Sequence, residues 1–178
     1  MFKIMDVIEK ERPDNCAMAL HGKEHWYKVN AYGQLLCASY PTAIKEVVRA
    51  FAFTHDCMRY NEGDDPGHGG RAAGFIDTHR DQLPHLSDRE IKVLQFACTW
   101  HTRAVPYESD SLPWRRFSEM ERTTIKVCFD ADSLDIGRVG VIPDPKYLFT
   151  TKGIEVATEQ ARTARAARIL ARRMRGDH

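Results

Sequence analysis

The chain has no apolar run that approaches the roughly 20 residues needed to span a bilayer. Its opening residues include acidic side chains where a signal peptide would have its apolar stretch. The five cysteines form no C-x-x-C pair and lie mostly within apolar runs, which is typical of reduced core residues in a cytosolic protein. A net charge of +1 provides no overall attraction to nucleic acid or to an anionic membrane. We therefore expect a cytoplasmic protein that does not act on membranes.

The chain does have the length and apolar content of one well-buried domain, with 178 residues of which 43% are hydrophobic. Its charge is uneven, because residues 151–178 contain seven Lys/Arg against three Asp/Glu. We expect a functional domain over residues 1–150 and a basic C-terminal helix over 151–178 that packs on it or extends from it. The arginines of this helix are interpreted as a solvated face, with a lid or a nucleic-acid contact as the alternative. They are Arg162, Arg165, Arg168, Arg172, Arg173 and Arg175.

Apolar residues recur at helical spacing along nearly the whole chain, and strand signals are weak. Ser87-Asp-Arg-Glu90 has the pattern of a capping box, which predicts a helix start. The segment 103–118, with two prolines and mixed charges, favours a long loop, and such loops are usually functional or mobile. The pattern predicts an all-α bundle of six to eight helices around one polar pocket. The main predicted helices cover residues 25–40, 42–58, 68–83, 88–101, 125–139 and 152–174.

The His55-Asp56 doublet is the most informative feature of the sequence. It ends the apolar run Val47-Val-Arg-Ala-Phe-Ala-Phe-Thr54, so both side chains should be close to the core. A buried carboxylate without a partner costs several kcal/mol. A metal ion removes that cost, because it takes an ionised carboxylate and a neutral imidazole as ligands.

Further ligand candidates occur at intervals along the chain, each on a helix or near a helix end. Several helices can direct such side chains to one central point, which is how metal sites are built in helical bundles. His79 and His85 fit no ligand pattern and are expected to be solvated. The candidates besides the doublet are His25, His68, His101 and Asp132, with His21, Asp130 and Asp135 as rivals.

Three segments, taken in order, resemble the HD-domain superfamily of metal-dependent phosphohydrolases. The segment His21-Gly-Lys-Glu-His25-Trp-Tyr-Lys-Val is similar to the opening helix of that superfamily. Phe53-Thr-His55-Asp56 is similar to the doublet that gives the superfamily its name, and Ala131-Asp132-Ser-Leu134 to its closing helix. The resemblance spans roughly residues 20–140. It implies a single HD-type helical domain with a metal site at its centre.

Two more segments resemble the two-metal branch of the superfamily, namely His68-Gly-Gly-Arg-Ala-Ala and Ala97-Cys-Thr-Trp-His101-Thr. That branch includes dinucleoside polyphosphate hydrolases, cyclic-dinucleotide phosphodiesterases and diiron oxygenases. The chain has no Gly-Tyr-Pro signature, which disfavours a cyclic-di-GMP phosphodiesterase. The run Ser-Leu-Asp-Ile-Gly-Arg after Asp132 also differs from the Arg-Leu-His-Asn run of the alarmone hydrolases.

The resemblance implies that Asp56 bridges two ions about 3.5–4 Å apart, with His68 and His101 serving the second ion. A mixed set of imidazoles and carboxylates suits Mn, Fe, Co, Ni or Zn better than Mg alone. The implied metal ligands are His25, His55, Asp56, His68, His101 and Asp132.

Basic residues near these ligands are candidates for binding a phosphate. Arg59 lies one turn beyond Asp56, and both are expected to be catalytic. Arg71 follows the glycine-rich loop at a helix start, where backbone N–H groups also favour anions. His21 is expected to contact the substrate or to orient a ligand. The predicted substrate-binding residues are His21, Lys28, Arg59 and Arg71, with Arg138 as a further candidate.

We expect a phosphohydrolase that acts on a nucleotide or another small phosphorylated metabolite through a metal-bridging hydroxide. The alternatives are a diiron oxygenase with the same ligands and a non-catalytic binding domain with the same fold. An acid of the 61–65 loop, Glu62, Asp64 or Asp65, is expected to protonate the leaving group. The expected partner is a small phosphorylated substrate rather than nucleic acid, and a homodimer is left open.

Overall fold

The computed structural model describes residues 3–13, 19–102 and 113–175. These residues form seven α-helices and no strand, in one domain, which confirms the all-α fold class. Short 3-10 helices at Arg80–Gln82, Pro113–Arg116, Ile136–Val139 and Pro145–Tyr147 lie between them. The α-helices are α1 (Lys3–Glu11), α2 (Lys23–Ser39), α3 (Lys45–Thr54), α4 (His68–Thr78), α5 (Asp88–Trp100), α6 (Glu119–Ser133) and α7 (Thr151–Arg175).

Helix α3 lies at the centre of the fold, and residues 50–57 at its end form an unbroken buried run. Helices α2, α5 and α6 pack against it, and α4 packs on α5. These contacts are apolar, because each helix directs one face of large side chains inward. Fully buried examples are Trp26, Leu36, Phe51, Leu94, Ile125 and Phe129. The arrangement brings the ends of four helices close to the end of α3.

Helix α3 is shorter than the sequence predicts. It begins at Lys45 and ends at Thr54, so His55 and Asp56 follow its last turn. Both side chains lie in the space between α2, α5 and α6, because His55 Nε2 is 3.1 Å from His25 Nε2 and 3.7 Å from Asp132 Oδ1, and Asp56 Oδ1 is 3.6 Å from His101 Nε2. The predicted helix over 68–83 likewise ends early, at Thr78, and continues as the 3-10 helix Arg80–Gln82.

Helix α6 begins at Glu119, directly after the predicted loop 103–118 and six residues before the predicted helix start at 125. Ser118 explains this start, because its Oγ accepts a hydrogen bond from the backbone N–H of Glu121, whose side chain accepts from the Ser118 N–H. This is the same capping box that the sequence predicts, and the structure contains, at Ser87. The part of the predicted loop over 103–112 lies outside the described residues.

The start of α7 is held against α6 by Asp130. Its buried carboxylate accepts hydrogen bonds from the backbone N–H groups of Phe149 and Thr150, both at 2.8 Å, and from the Thr150 hydroxyl. Burial raises the pKa of Asp130 to about 6 although these donors oppose the change. A Cβ at Gly153 would lie 2.3 Å from Asp130 Oδ2, so a side chain there would push the helix away. Beyond Ala157 no described side chain of α7 is buried.

Helix α1, which the sequence did not predict, packs on the core through Ile4, Met5 and Ile8. Its Glu11 lies 2.8 Å from Nε2 of His79, so His79 is paired rather than simply solvated. Four cysteines are buried and form no disulfide within the described ranges, namely Cys37, Cys57, Cys98 and Cys128. None of the described helices combines the length and the apolar character needed to cross a bilayer.

Candidate metal centre

Six side chains from five helices meet beside the end of α3. Each is located in the first or last turn of a helix or directly after it, so a small change in helix length would move it. Three overlapping groups within this cluster have ligand atoms that lie within 4.8 Å of one another. The cluster contains all six predicted metal ligands, which are His25, His55, Asp56, His68, His101 and Asp132.

The first half of the cluster is formed by His25, His55 and Asp132 with one oxygen of Asp56. His25 Nε2 lies 3.1 Å from His55 Nε2 and 3.2 Å from Asp132 Oδ1. Asp56 Oδ2 lies 3.7 Å from His25 Nε2 and 3.5 Å from His55 Nε2. Ligands at about 2.0–2.2 Å from one ion lie about 3.0–3.5 Å apart, so these spacings fit a shared ion.

The second half is formed by His68, His101 and the other oxygen of Asp56. Asp56 Oδ1 lies 3.0 Å from His68 Nε2 and 3.6 Å from His101 Nε2. The two imidazole nitrogens are 3.0 Å apart. Asp56 therefore directs one carboxylate oxygen to each half, which is the arrangement of a bridging ligand.

The hydrogen bonds of the four histidines determine which ring nitrogen faces the cluster. Three Nδ1 atoms lie at hydrogen-bond distance from backbone carbonyls: His55 to Phe51, His68 to Asp65, and His101 to Cys98, at 3.1, 2.5 and 2.7 Å. Because a carbonyl oxygen only accepts, each of these Nδ1 atoms donates. In the neutral imidazoles the Nε2 atoms then keep the lone pairs that a metal requires.

His25 is oriented in the same way by a carboxylate. Its Nδ1 donates to Asp135 Oδ2 at 2.8 Å, so Asp135 lies behind the ligand and holds its ring. Sequence reasoning treated Asp135 as a rival of Asp132, and its spacing alone could not separate the two roles. Burial lowers the pKa of His25, but Asp132 and Asp135 outweigh it and leave that pKa raised.

The electrostatics of the cluster fit a cation. Burial raises the pKa of Asp56 and of Asp132, but neighbouring imidazoles more than offset this and hold both pKa values well below the usual range. Both carboxylates are therefore ionised, yet Oδ1 of each is buried and lacks a hydrogen-bond partner among the described residues. Buried ionised oxygens of this kind are costly unless a cation is close. The donor set thus fits one or two divalent ions.

Arg59 reaches the edge of this centre while it holds the adjacent loop. Its Nε donates to the Asn61 carbonyl at 3.1 Å and one terminal nitrogen donates to the Gly63 carbonyl at 2.6 Å. The other terminal nitrogen lies 3.2 Å from His68 Nδ1 and 3.6 Å from Asp56 Oδ1. Of the three guanidinium nitrogens, only this last one faces the centre.

Arg71 and Lys28 are engaged elsewhere. Arg71 donates to the Met58 carbonyl at 3.0 Å and to Asp65 Oδ2 at 2.5 Å, with its guanidinium over the Tyr60 ring. These contacts join the start of α4 to the 58–65 segment. Lys28 is half-exposed and lies 2.9 Å from Glu24 one turn earlier on α2. Neither residue contacts the six ligands within the described part of the chain.

His21 lies beside the centre and is paired with Glu62. Its Nδ1 is 2.5 Å from Glu62 Oε2, and its ring meets that of His25 edge to face at 6.2 Å. Burial lowers the pKa of His21, whereas the contact with His21 lowers the pKa of Glu62 against the effect of burial. Of the other two candidate acids, Asp65 accepts from the Tyr60 N–H and from Arg71, and Asp64 is exposed.

Comparison of the chain with protein-family models, curated proteins and solved structures found no match.

Proposed function

We propose that this protein is an HD-type, metal-dependent phosphohydrolase that acts on a nucleotide or another small phosphorylated metabolite. The observation that carries the proposal is the position of Asp56, whose two oxygens face two separate groups of imidazole Nε2 atoms. The resemblance of the ordered motifs to the HD-domain superfamily supports the same function. The hydrolases of its two-metal branch suggest the reaction class, which is hydrolysis of a phosphate ester or anhydride.

Two divalent ions, when bound, supply a nucleophile of lowered pKa and neutralise charge on phosphate oxygens. The chain itself would hold this site rigid. Asp56 and the Nε2 atoms would hold the ions, while Asp135 and three backbone carbonyls keep the imidazoles from rotating. Arg59 would direct to the substrate the terminal nitrogen that lies 3.2 Å from His68 Nδ1 and 3.3 Å from His68 Nε2.

We propose that Glu62, paired with His21, is the carboxyl group beside the leaving group. Its pKa is lowered by the contact with His21, so it is ionised at neutral pH and would position the leaving group or a water rather than donate a proton. Glu62 is preferred to Asp65 because the latter is committed to Arg71 and to the Tyr60 backbone. Glu62 is also tied to the segment before α2, since it accepts from the Leu20 N–H at 3.0 Å. The pair thus joins two loops beside His25.

A screen of phosphorylated metabolites tests the proposal. Metal-free protein is reconstituted separately with Mn, Fe, Co, Ni or Zn, and phosphate release is measured. The matched variants are Asp56→Ala, which removes the shared ligand, and Asp64→Ala, which removes an exposed carboxylate of the nearby loop. We expect Asp56→Ala to fold but to lose bound metal and turnover, because no remaining group can serve both halves.

Asp64→Ala is expected to behave like wild type. Wild-type metal content in Asp56→Ala would contradict the site. A wild-type protein that binds no metal would favour the non-catalytic binding domain. Dioxygen consumption by the iron-loaded protein, without phosphate release, would favour the diiron oxygenase.

A further inference from the structure

The metal centre opens toward solvent on one side. The side chains of His25, His55 and Asp56 are 1, 0 and 2% exposed, whereas that of Asp132 is 18% exposed. Arg138, next to Asp132, is 14% exposed. Asp132 is thus the most exposed of the six ligands, and Arg138 lies beside it.

Arg138 is held beside Asp132 by the chain around it. It is located in the 3-10 helix Ile136–Val139 that follows α6, and its backbone N–H donates to the Asp135 carbonyl at 3.1 Å. One terminal nitrogen of its guanidinium donates to the same carbonyl at 3.2 Å. Because Asp135 is itself fixed to His25, the guanidinium has a defined position at the opening.

Most of the hydrogen-bonding capacity of this guanidinium is unused among the residues that the structure describes. The second terminal nitrogen lies 3.9 Å from Asp132 Oδ1, beyond hydrogen-bond distance. The Nε atom is buried and has no hydrogen-bond partner among the residues that the structure describes. A buried donor without a partner is unfavourable, and in native proteins such an atom calls for an explanation such as strain, a catalytic role or a bound ion.

The other basic residues around the centre do not offer comparable capacity. Arg59 directs two of its nitrogens to loop carbonyls, Arg71 is bound to Asp65 and Met58, and Lys28 is paired with Glu24 at the surface. An arginine Nε and the adjacent terminal nitrogen form a planar fork that matches two oxygens of one carboxylate or phosphate. In Arg138 this fork is the unused part.

We propose that Arg138 is the residue that binds the phosphate group of the substrate, through two oxygens that do not react. This inference rests on the proposed function and refines it. The recognised group has at least two free oxygens on one tetrahedral centre, as in a terminal phosphate. Arg138, a further candidate in the sequence, would thus take the role that the sequence suggested first for Arg71 and Lys28.

Binding of inorganic phosphate tests the assignment without requiring turnover. Wild type, Arg138→Gln, Arg138→Lys and Lys28→Gln are titrated calorimetrically with phosphate, with and without Mn²⁺. We expect Arg138→Gln to weaken phosphate binding by roughly 10- to 100-fold, because two hydrogen bonds to a charged group are lost. Arg138→Lys keeps the charge but not the fork, so an intermediate loss is expected. Lys28→Gln should bind phosphate as wild type does.

Metal content and circular dichroism of each variant show whether the centre is intact. Wild-type phosphate affinity in Arg138→Gln, or no phosphate binding by wild type, would overturn the assignment. If Arg138→Gln fails to fold, Arg138→Lys decides, because an unchanged affinity there excludes the two-oxygen contact. Arg138-dependent phosphate binding without hydrolysis of any phosphorylated compound would overturn the proposed function alone. Hydrolysis with Arg138-independent phosphate binding would overturn this assignment alone.

Discussion

At the residue scale, the centre depends on which nitrogen of each imidazole ring faces it, and not only on the presence of histidines. His68 and His101 meet the centre through Nε2 because the carbonyls of Asp65 and Cys98 accept from their Nδ1 atoms. The lone pair of each ring is therefore directed at Asp56 Oδ1. A flip of either ring would put the Cε1 carbon in the place of Nε2, and the second half of the centre would be lost.

Replacing His101 by Ala should change the number of bound ions. The second half has only His68, His101 and the shared Asp56, so removal of one imidazole leaves too few ligands. The first half keeps His25, His55, Asp56 and Asp132. We expect two ions per chain in wild type and one in His101→Ala, with much reduced turnover.

Elemental analysis of protein prepared without chelating tags measures this stoichiometry. The exposed His85 provides the control, since His85→Ala should keep both ions. One ion in wild type and in His101→Ala alike would contradict a binuclear centre.

At the element scale, α4 and α5 approach each other closely at Gly69 and Cys98. The Cys98 carbonyl oxygen both contacts α4 and accepts a hydrogen bond from His101. A Cβ added at Gly69 would lie 2.2 Å from the Cys98 carbonyl oxygen. The same oxygen accepts from His101 Nδ1 at 2.7 Å. The packing of α4 on α5 and the orientation of His101 are therefore coupled through Cys98.

Gly69→Ala should separate the two helices and disturb the second half of the centre. Backbone cannot yield as a flexible side chain does, so we expect a loss of roughly 1–3 kcal/mol in the free energy of unfolding. Binding of the second ion should weaken as well. Gly70→Ala is the matched control, because no atom lies within 4 Å of a Cβ there. It should be neutral or stabilising, since Ala favours a helix by up to about 1 kcal/mol over Gly.

Chemical denaturation and metal titration of both variants check this prediction. Equal stability of Gly69→Ala and Gly70→Ala would show that the close approach has no energetic consequence. If Gly69→Ala is destabilised but binds metal as wild type does, the packing of α4 on α5 does not affect the metal centre.

Helices α5 and α6 are joined at their N-terminal ends by Arg89 and Glu121. Arg89 Nε lies 2.5 Å from Glu121 Oε1, and a terminal nitrogen lies 2.7 Å from Oε2. Hydrogen bonding to Arg89 lowers the pKa of Glu121 to about 2 despite the opposing effect of burial. Since the folded pKa is lowered, the stabilisation is complete above the ordinary value of 4.5 and is lost as the pH falls toward 2.

Glu121→Gln removes the charge but keeps a residue that completes the capping box. We expect it to be less stable than wild type by about 1–2 kcal/mol at pH 7, since water around the half-exposed Arg89 screens the pair. The difference should narrow between pH 4.5 and pH 3, measured by urea denaturation. Glu119→Gln, which removes an exposed partner of Arg122, should show a much smaller effect. A difference that does not depend on pH would exclude the ionic contribution.

At the scale of the whole molecule, α7 has two unequal halves. Its first half is anchored by Asp130 and by buried Ala157, whereas its second half is exposed and rich in arginine. Burial of apolar surface stabilises a fold and solvated charge does little, so the second half should contribute little to stability.

A chain that ends at Ala164 should therefore fold as wild type does. We expect its free energy of unfolding to stay within about 0.5 kcal/mol of wild type, as for changes at exposed sites. Metal content and phosphate release should also be unchanged. A chain that ends at Thr151 is the contrasting variant, because it loses Ala157 and should be clearly destabilised. Normal stability with lost turnover in the shorter deletion would instead support a lid formed by the arginines.

Local signals in the sequence predicted most of the helices, although not α1 or the start of α6, and the identity of the clustered side chains. Helical spacing predicted the all-α fold, and the capping box at Ser87 predicted the start of α5. A second capping box starts at Ser118, but it was not predicted because Ser118 lies in the segment 103–118 that was interpreted as a loop. The His55-Asp56 doublet was found because a buried carboxylate is costly without a partner, whereas the other four candidates rested on their positions near helix ends and on the resemblance.

The tertiary structure alone decided how these side chains are used. Three features depend on distances between helices that are far apart in the chain. They are the contact of the two Asp56 oxygens with separate groups of imidazoles, the hydrogen bond from His25 to Asp135, and the unpartnered donors of Arg138. Arg71 and Arg138 are chemically identical in the sequence, and only their neighbours show that one is committed to Asp65 and the other is not. Periodicity and caps are local properties of the backbone, whereas the partners of a side chain are set by the way that the helices cross.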